Sequence, residues 1–129
     1  MDARKRILII DDELDMAILL RQVLQDATFE VDIALGGCQG LEKATSGQFD
    51  LILLDVRMPG MDGMEVMRNL RQREETECIP VIFLTGSALD VDQIVAAIDL
   101  DPSDFITKSV SSKELIARIN WAFRKQHTS

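Results

Sequence analysis

The amino-acid sequence predicts an α/β fold in which a parallel sheet lies between two layers of helices. Five short apolar runs are spread over the 129 residues, and three of them are almost uninterrupted, as in strands covered on both faces. The segments between these runs place apolar residues at helical spacing. Strands that alternate with helices favour a parallel sheet with right-handed crossovers.

The apolar runs differ in composition, which indicates where each strand lies in the sheet. The first, third and fourth runs, "RILII", "LILLD" and "PVIFLT", suit central strands. The second and fifth, "EVDIAL" and "DFITK", are more mixed or shorter and suit the edges. The predicted strands are therefore 6–10, 30–35, 51–55, 80–85 and 104–108.

A segment with helical character follows each predicted strand. The apolar positions of the first helix are Leu20, Val23, Leu24 and Ala27, and those of the fourth are Val91, Ile94, Val95 and Ile98. Two weaker helices fit residues 38–46 and 64–73. The last helix has the apolar stripe Leu115, Ile116, Ile119, Ala122 and Phe123. Its N-cap candidates are Ser111 and Ser112, with Glu114 just inside the helix.

Length and composition restrict the class of protein. With 47% hydrophobic and 28% charged residues, residues 1–129 are predicted to form one soluble globular domain. No apolar stretch approaches the roughly 20 residues of a membrane span. Cys38 and Cys78 have no disulfide or metal-binding spacing, so we expect a cytoplasmic protein with reduced thiols. The net charge of −8 argues against direct binding of nucleic acid, which depends on cationic contacts with phosphates.

Polar side chains follow four of the five predicted strands. The first strand ends in Asp11 and Asp12 with Glu13 next, the third in Asp55, the fourth in Thr85 and the fifth in Lys108. Parallel strands end on one side of a sheet, where ligands bind in this fold class. Carboxylates gathered there would repel one another, by about 4 kcal/mol for two unit charges 4 Å apart at an effective dielectric near 20, unless a cation neutralises them. A single Asp at a strand end is usually a turn former or a helix cap, but the joint pattern favours a Mg²⁺ site with oxygen ligands.

The stretches at these strand ends carry a resemblance. They are "LIIDDE", "DLILLDVRMPGMDGME", "VIFLTG" and "DFITKS". Together they resemble the receiver domains of bacterial two-component response regulators, over about residues 5–125, and "DVRMPGMDG" is highly specific. The resemblance implies a flavodoxin-like (βα)5 three-layer sandwich with a five-stranded parallel sheet in the order 2-1-3-4-5.

The resemblance also implies which residues carry out the chemistry. Asp55 would accept a phosphoryl group from a phosphohistidine on a histidine kinase or a histidine phosphotransfer protein. Asp12 and Asp55 would ligate Mg²⁺ directly, Asp11 largely through water and Arg57 through its backbone carbonyl. The domain would phosphorylate and dephosphorylate itself at Asp55 without independent substrate turnover. These residue types suit phosphoryl transfer, which needs positioning and charge neutralisation more than covalent help.

A signal would leave the domain through a switch that the resemblance implies. Lys108 would pair with the Asp55 carboxylate and then with the phosphate, while Thr85 would donate a hydrogen bond to a phosphoryl oxygen. As Thr85 moves, Phe105 would rotate inward to fill the space behind it. The output surface would be the fourth helix, the fifth strand and the fifth helix. It would contact a downstream effector, an output domain or, in a homodimer, a second copy.

Two segments depart from the family pattern. The family usually has Lys-Pro with a cis peptide bond where this chain has Lys108–Ser109, and a cis bond before a non-proline residue costs about 3–4 kcal/mol. The fourth helix leads into "DLDPSDF", where many receivers have a Gly-Ala pair. Pro102 should end that helix near or before Asp101.

The loops around the site have residues with specific backbone roles. In "MPGMDG", Gly60 and Gly63 are expected to supply turn conformations and Pro59 to stiffen the loop. Gly86 leaves the approach to the acceptor open. Arg57 and Ser87 lie at positions that control access of attacking water in the family, and we hypothesise that Arg57 slows it.

Three alternative functions agree less well with the sequence. An aspartate-nucleophile phosphatase typically needs a second carboxylate two residues after the nucleophile, where this chain has Arg57. The missing proline and the altered 99–104 segment are compatible with a phosphorylation-independent interaction module of the same fold, but such a module would not need the five site residues, all of which are present. The sequence contains neither a G-x-G-x-x-G nor a G-K-[ST] motif, which argues against nucleotide binding.

Overall fold

The computed structural model describes residues 4–86, 95 and 98–127. Its elements alternate as predicted, and every predicted strand is found with bounds within one residue. In chain order they are β1 (Arg6–Ile10), α1 (Leu14–Asp26), β2 (Glu30–Ala34), α2 (Gly37–Ser46), β3 (Leu51–Asp55), α3 (Gly63–Arg71), β4 (Val81–Thr85), β5 (Asp104–Thr107) and a C-terminal helix (Ser112–His127).

The five strands form one parallel sheet in the order β2-β1-β3-β4-β5. This arrangement confirms the predicted fold class and strand order. In the register, Ile10 pairs with Ala34 on one side and with Leu54 on the other, and Thr85 pairs with Thr107. The strands therefore end at nearly the same level, and the residues that follow them lie along one edge of the sheet.

Backbone hydrogen bonds between the strands continue one residue past the strand ends. The three donor and acceptor pairs are Asp11 N–H to Ala34 C=O (3.1 Å), Val56 N–H to Leu84 C=O (3.0 Å) and Lys108 N–H to Thr85 C=O (2.7 Å). These bonds fix the backbone at the positions from which the polar side chains of the sheet edge project.

The sheet separates two hydrophobic cores. Successive side chains of a strand point to opposite faces, so Leu8 and Ile10 belong to one core while Ile7 and Ile9 belong to the other. The first core includes side chains of α2 and α3, and the second includes those of α1 and the C-terminal helix. Strands β3 and β4 are buried along their whole length, which explains why their sequences are almost purely apolar.

Among the helices whose first residues the structure describes, two begin with a side-chain cap. At α3 the Asp62 carboxylate accepts a hydrogen bond from the Glu65 N–H at 2.9 Å. At the C-terminal helix the Ser111 hydroxyl accepts one from the Glu114 N–H at 3.1 Å. Of the two candidates, Ser111 is thus the N-cap, and Ser112 is the first helical residue.

The segment before β5 differs from the sequence prediction. Val95 and Ile98 are helical, but they are 62% and 60% exposed, so this part of the apolar stripe does not face the core. Leu100 packs against the core instead, because the chain leaves the helix soon after Ile98 and before Pro102. Three residues of the prediction lie outside the described residues: Ser87, Val91 and Ile94.

Arg71, the last residue of α3, holds the turn that follows this segment. Its guanidinium donates hydrogen bonds to four carbonyl oxygens, those of Leu100 (2.9 Å), Glu77 (3.0 Å), Ile79 (3.0 Å) and Asp101 (3.3 Å). Asp101 has a left-handed backbone with φ 55°. One side chain therefore ties the end of α3 to the connection that leads into β5.

Membrane and disulfide features were also predicted from the sequence. Within the described part of the chain, every helix is too short or too polar to cross a membrane. Cys38 and Cys78 are exposed and form no disulfide with each other.

Candidate functional site

Three carboxylates meet at the ends of the central strands. Asp11 and Asp12 follow β1, and Asp55 is the last residue of β3. Each offers a ligand oxygen, and these atoms lie within 4.8 Å of one another. Asp11 is fully buried and Asp55 is 4% exposed, whereas Asp12 is exposed. The structure thus brings together the three acids that the sequence placed on one edge.

Lys108 supplies the positive charge in this cluster. Its Nζ atom lies 3.1 Å from Asp11 Oδ2, 3.1 Å from Asp55 Oδ2 and 2.9 Å from Glu13 Oε1. Only 8% of the Lys108 side chain is exposed. Burial alone would lower the pKa of Lys108, but pairing with the three carboxylates outweighs it and raises that pKa above its usual range. The ammonium therefore stays charged at neutral pH.

Asp55 has an altered acidity. Its pKa is raised from 3.8 to about 6, chiefly by burial and in part by the nearby charge of Asp11, against the lowering effect of the Lys108 hydrogen bond. Coulombic attraction to Lys108 and the hydrogen bond from the Arg57 N–H to Asp55 Oδ1 (3.3 Å) lower it. Asp55 is therefore ionised at neutral pH, at a cost in free energy.

Two buried polar atoms have no hydrogen-bond partner within the described residues: Asp11 Oδ2 and Thr85 Oγ1. The 3.1 Å contact of Asp11 Oδ2 with Lys108 is an ion pair by distance only. Buried polar atoms are normally satisfied, so the Thr85 hydroxyl indicates a missing partner, whereas Asp11 Oδ2 is already paired with the Lys108 ammonium. A cation at the carboxylates suits Asp11, and an acceptor oxygen suits the Thr85 hydroxyl. The donor set consists of hard oxygen atoms, which fits Mg²⁺.

The glycines of the surrounding loops have two different roles. Gly60 has a left-handed φ of 74°, as expected for a turn. The same expectation for Gly63 was wrong, because Gly63 begins α3 and a Cβ there would collide with the carbonyl oxygen of Asp55. Gly63 thus allows α3 to start directly against the end of β3. A Cβ at Gly86 would meet nothing within 4 Å, in agreement with an open approach.

Phe105 and Arg57 take the following positions. Phe105 is partly buried and stacks on Phe83 of β4, with ring centroids 5.3 Å apart and an interplanar angle of 15°. Its role as a switch stays a prediction. The Arg57 side chain is exposed, and its carbonyl as a metal ligand likewise stays a prediction.

Sequence reasoning missed the contact between Glu13 and Lys108. The two residues are 95 positions apart, and Glu13 was counted only as a third acid after Asp12. One local signal was present: Glu13 directly precedes α1, where Ser, Thr, Asp or Asn is the usual N-cap. The peptide bond between Lys108 and Ser109 is trans, as are all others in the described residues.

Comparisons with known proteins point to one family. The family model for the response regulator receiver domain matches residues 7–120. The response regulator ArlR of Staphylococcus saprophyticus is 39% identical over 121 residues, which cover 94% of this chain and 53% of that protein. The chain thus spans about half the length of the curated relatives it matches.

Solved structures show the same fold. A CheY-like receiver domain protein of Methanospirillum hungatei has a TM-score of 0.90 at 28% identity, with 98% of both chains covered. The chemotaxis protein CheY4 of Vibrio cholerae has a TM-score of 0.87 at 26% identity, with 93% of this chain and 99% of that chain covered.

Proposed function

The chain belongs to the response regulator receiver domain family, and we propose from this premise that Asp55 is its phosphoacceptor. Receiver domains are signalling domains of two-component systems. The observation that supports the proposal most directly is the arrangement at the sheet edge. A buried carboxylate lies 3.1 Å from a lysine ammonium and within 4.8 Å of two further acids.

Asp55 would act as a nucleophile. With a pKa of about 6 it is ionised at neutral pH, and both of its oxygens are held, Oδ1 by the Arg57 N–H and Oδ2 by Lys108. One carboxylate oxygen attacks the phosphorus of a phosphohistidine, so that an O–P bond forms. The P–N bond breaks, and its electron pair stays with the imidazole nitrogen. Positioning and electrostatics carry most of such a transfer.

Asp11, Asp12 and Asp55, with the Arg57 carbonyl, would hold Mg²⁺. When bound, the ion would neutralise charge on the transferred phosphoryl oxygens. The chain's own contribution is to deliver these oxygens from two adjacent strands whose backbones are fixed by hydrogen bonds. The self-phosphorylation and self-dephosphorylation expected at Asp55 would need no further catalytic side chain besides Lys108 and Thr85.

The signal would pass from Thr85 to the surface. Phosphorylation adds about −1.5 to −2 charges. This charge would draw the Thr85 hydroxyl, which has no hydrogen-bond partner among the described residues, toward the new oxygens. Phe105, stacked on Phe83, would then move into the space behind Thr85. We propose that the fourth helix predicted from the sequence, β5 and the C-terminal helix form the output face. Such a change is a shift between two populations, limited by the difference in interaction energy between them.

The partners follow from the family. We propose a histidine kinase or a histidine phosphotransfer protein as the donor, and a downstream effector, an output domain or a second copy at the output face. One domain for residues 1–129 and a cytoplasmic location stay predictions. If the wild type gains no phosphoryl group, the alternative function, a phosphorylation-independent interaction module, is favoured instead.

The test is intact mass spectrometry after incubation with a small phosphodonor, with Mg²⁺ or with EDTA. We expect a gain of one phosphoryl group with Mg²⁺ only, and no gain in Asp55→Asn. A matched control is Asp26→Asn, which removes an exposed acid at the end of α1 and should be phosphorylated like the wild type. No gain in the wild type, or an equal gain in Asp55→Asn, would contradict the proposal.

A further inference from the structure

Glu13 is the N-cap residue of α1, but its side chain does not cap the helix. The residue directly precedes α1, and its carboxylate makes no capping hydrogen bond. Its Oε1 atom lies 2.9 Å from the Nζ of Lys108 instead. The Glu13 side chain is 65% exposed, so it reaches inward from solvent to a lysine that is 8% exposed.

The backbone of Glu13 belongs to the site as well. Its N–H donates a hydrogen bond to Asp11 Oδ1 at 2.9 Å, and its carbonyl accepts one from the Ala17 N–H at 3.0 Å, within the first turn of α1. The start of α1 therefore fixes Glu13 next to the metal-binding acids. Glu13 itself lies outside the cluster of carboxylates that could share one ion.

Lys108 has few other constraints on its ammonium. Its backbone N–H bonds to the Thr85 carbonyl, but the next residue is Ser109, in a trans peptide, rather than a rigid proline. Two of the three carboxylates around Nζ, those of Asp11 and Asp55, are also the acids that would bind a cation. A cation at these two would weaken their attraction for the ammonium.

We propose that Glu13 is a positioning residue that holds the ammonium of Lys108 beside Asp55, and that its hold becomes the main one when a divalent cation occupies Asp11 and Asp55. The metal-dependent half of this inference rests on the proposed function. The contact itself is independent of metal and of phosphorylation. The role is specific to the carboxylate of Glu13, since its backbone bonds are available to any residue.

Acylation of lysines by an N-hydroxysuccinimide ester, read by peptide mass spectrometry, tests the inference without measuring activity. The rate at Lys108 is compared with that at the exposed Lys113 in the same sample. The proteins are the wild type, Glu13→Gln and Asp15→Asn, the last removing an exposed acid in the first turn of α1. Each is labelled in EDTA and in Mg²⁺.

We expect Lys108 in Glu13→Gln to be labelled about two- to fivefold faster than in the wild type in Mg²⁺, within the range that exposed ion pairs contribute. The increase should be smaller in EDTA, where Asp11 and Asp55 still hold the ammonium. Asp15→Asn should match the wild type. Equal labelling of all three proteins in both conditions, or an equal increase in Asp15→Asn, overturns the inference.

Two further outcomes keep this inference separate from the proposed function. An increase in Glu13→Gln that is no larger in Mg²⁺ than in EDTA overturns the metal-dependent half. If the wild type gains no phosphoryl group by intact mass, the proposed function fails, while labelling in EDTA still decides whether Glu13 holds Lys108.

Discussion

Replacing Asp55 with asparagine is expected to stabilise the metal-free protein at neutral pH while it abolishes phosphorylation. The native side chain is an ionised carboxylate that is 4% exposed and lies beside Asp11. Asparagine keeps nearly the same shape and removes the charge. The acceptor would thus be a residue at which function and stability oppose each other.

The size of the effect follows from the acidity of Asp55. Its pKa rises from 3.8 to about 6, a difference of about 2.2, and each pKa unit corresponds to 1.36 kcal/mol, so the ionised form costs about 3 kcal/mol relative to the neutral form. This figure already includes the favourable pair with Lys108. We expect Asp55→Asn to be more stable by about 1–3 kcal/mol at about pH 7.5.

The pH dependence gives the sign of the effect. Because the folded pKa lies above the unfolded one, the contribution of Asp55 to stability is fully present below about pH 4 and is lost as the pH rises through about 6. The difference between Asp55→Asn and the wild type should therefore be small at about pH 4 and largest above about pH 7.

Urea unfolding in EDTA, followed by circular dichroism at several pH values, measures this difference. Asp26→Asn is the control, and we expect it to stay within about 0.5 kcal/mol of the wild type. Added Mg²⁺ should stabilise the wild type by about 2.7 kcal/mol at a hundred times its Kd, and Asp55→Asn by much less. A less stable Asp55→Asn at about pH 7.5, or a difference that does not change with pH, would refute the reasoning.

Three further substitutions test other parts of the structure. Arg57→Ala should speed the loss of the phosphoryl group, followed by intact mass over time, and an unchanged rate would contradict the hypothesis that Arg57 slows water access. Gly63→Ala should lower stability by about 1–3 kcal/mol in urea unfolding, because its Cβ would press on the Asp55 carbonyl; an unaltered unfolding midpoint would show that α3 can shift. Arg71→Lys should lower the free energy of unfolding by about 1–3 kcal/mol, because a lysine ammonium cannot donate hydrogen bonds to all four carbonyl oxygens. The control Arg73→Lys changes an exposed residue and should unfold like the wild type.

The sheet and the site could be predicted from the sequence because both depend on local patterns. Strands buried on both faces require apolar runs, and a parallel sheet places the residues after those runs on one edge. Asp11, Asp55 and Lys108 could therefore be placed together before any coordinates were known. The acidity of Asp55 could not, since it depends on burial and on distances to Lys108 and Asp11.

Other features depend on contacts that no local pattern contains. Val95 and Ile98 have helical spacing, yet they are exposed, because apolar spacing indicates a stripe but not the surface that covers it. The Glu13–Lys108 pair joins residues 95 positions apart. At Gly63 the sequence predicted a turn, but glycine is required there because α3 approaches the Asp55 carbonyl closely. Both requirements favour glycine, so the residue type alone does not distinguish them.

The hydrogen bonds that continue past the strand ends connect the backbone around Asp55 firmly to the sheet. The amides of Asp11, Val56 and Lys108 belong to the same ladder as the buried strands. Their protons should therefore exchange with solvent more slowly than those of the surrounding loops. If Asp55 is the phosphoacceptor, its backbone is therefore positioned by the fold of the sheet, and a phosphodonor would have to fit a site that folding has already formed.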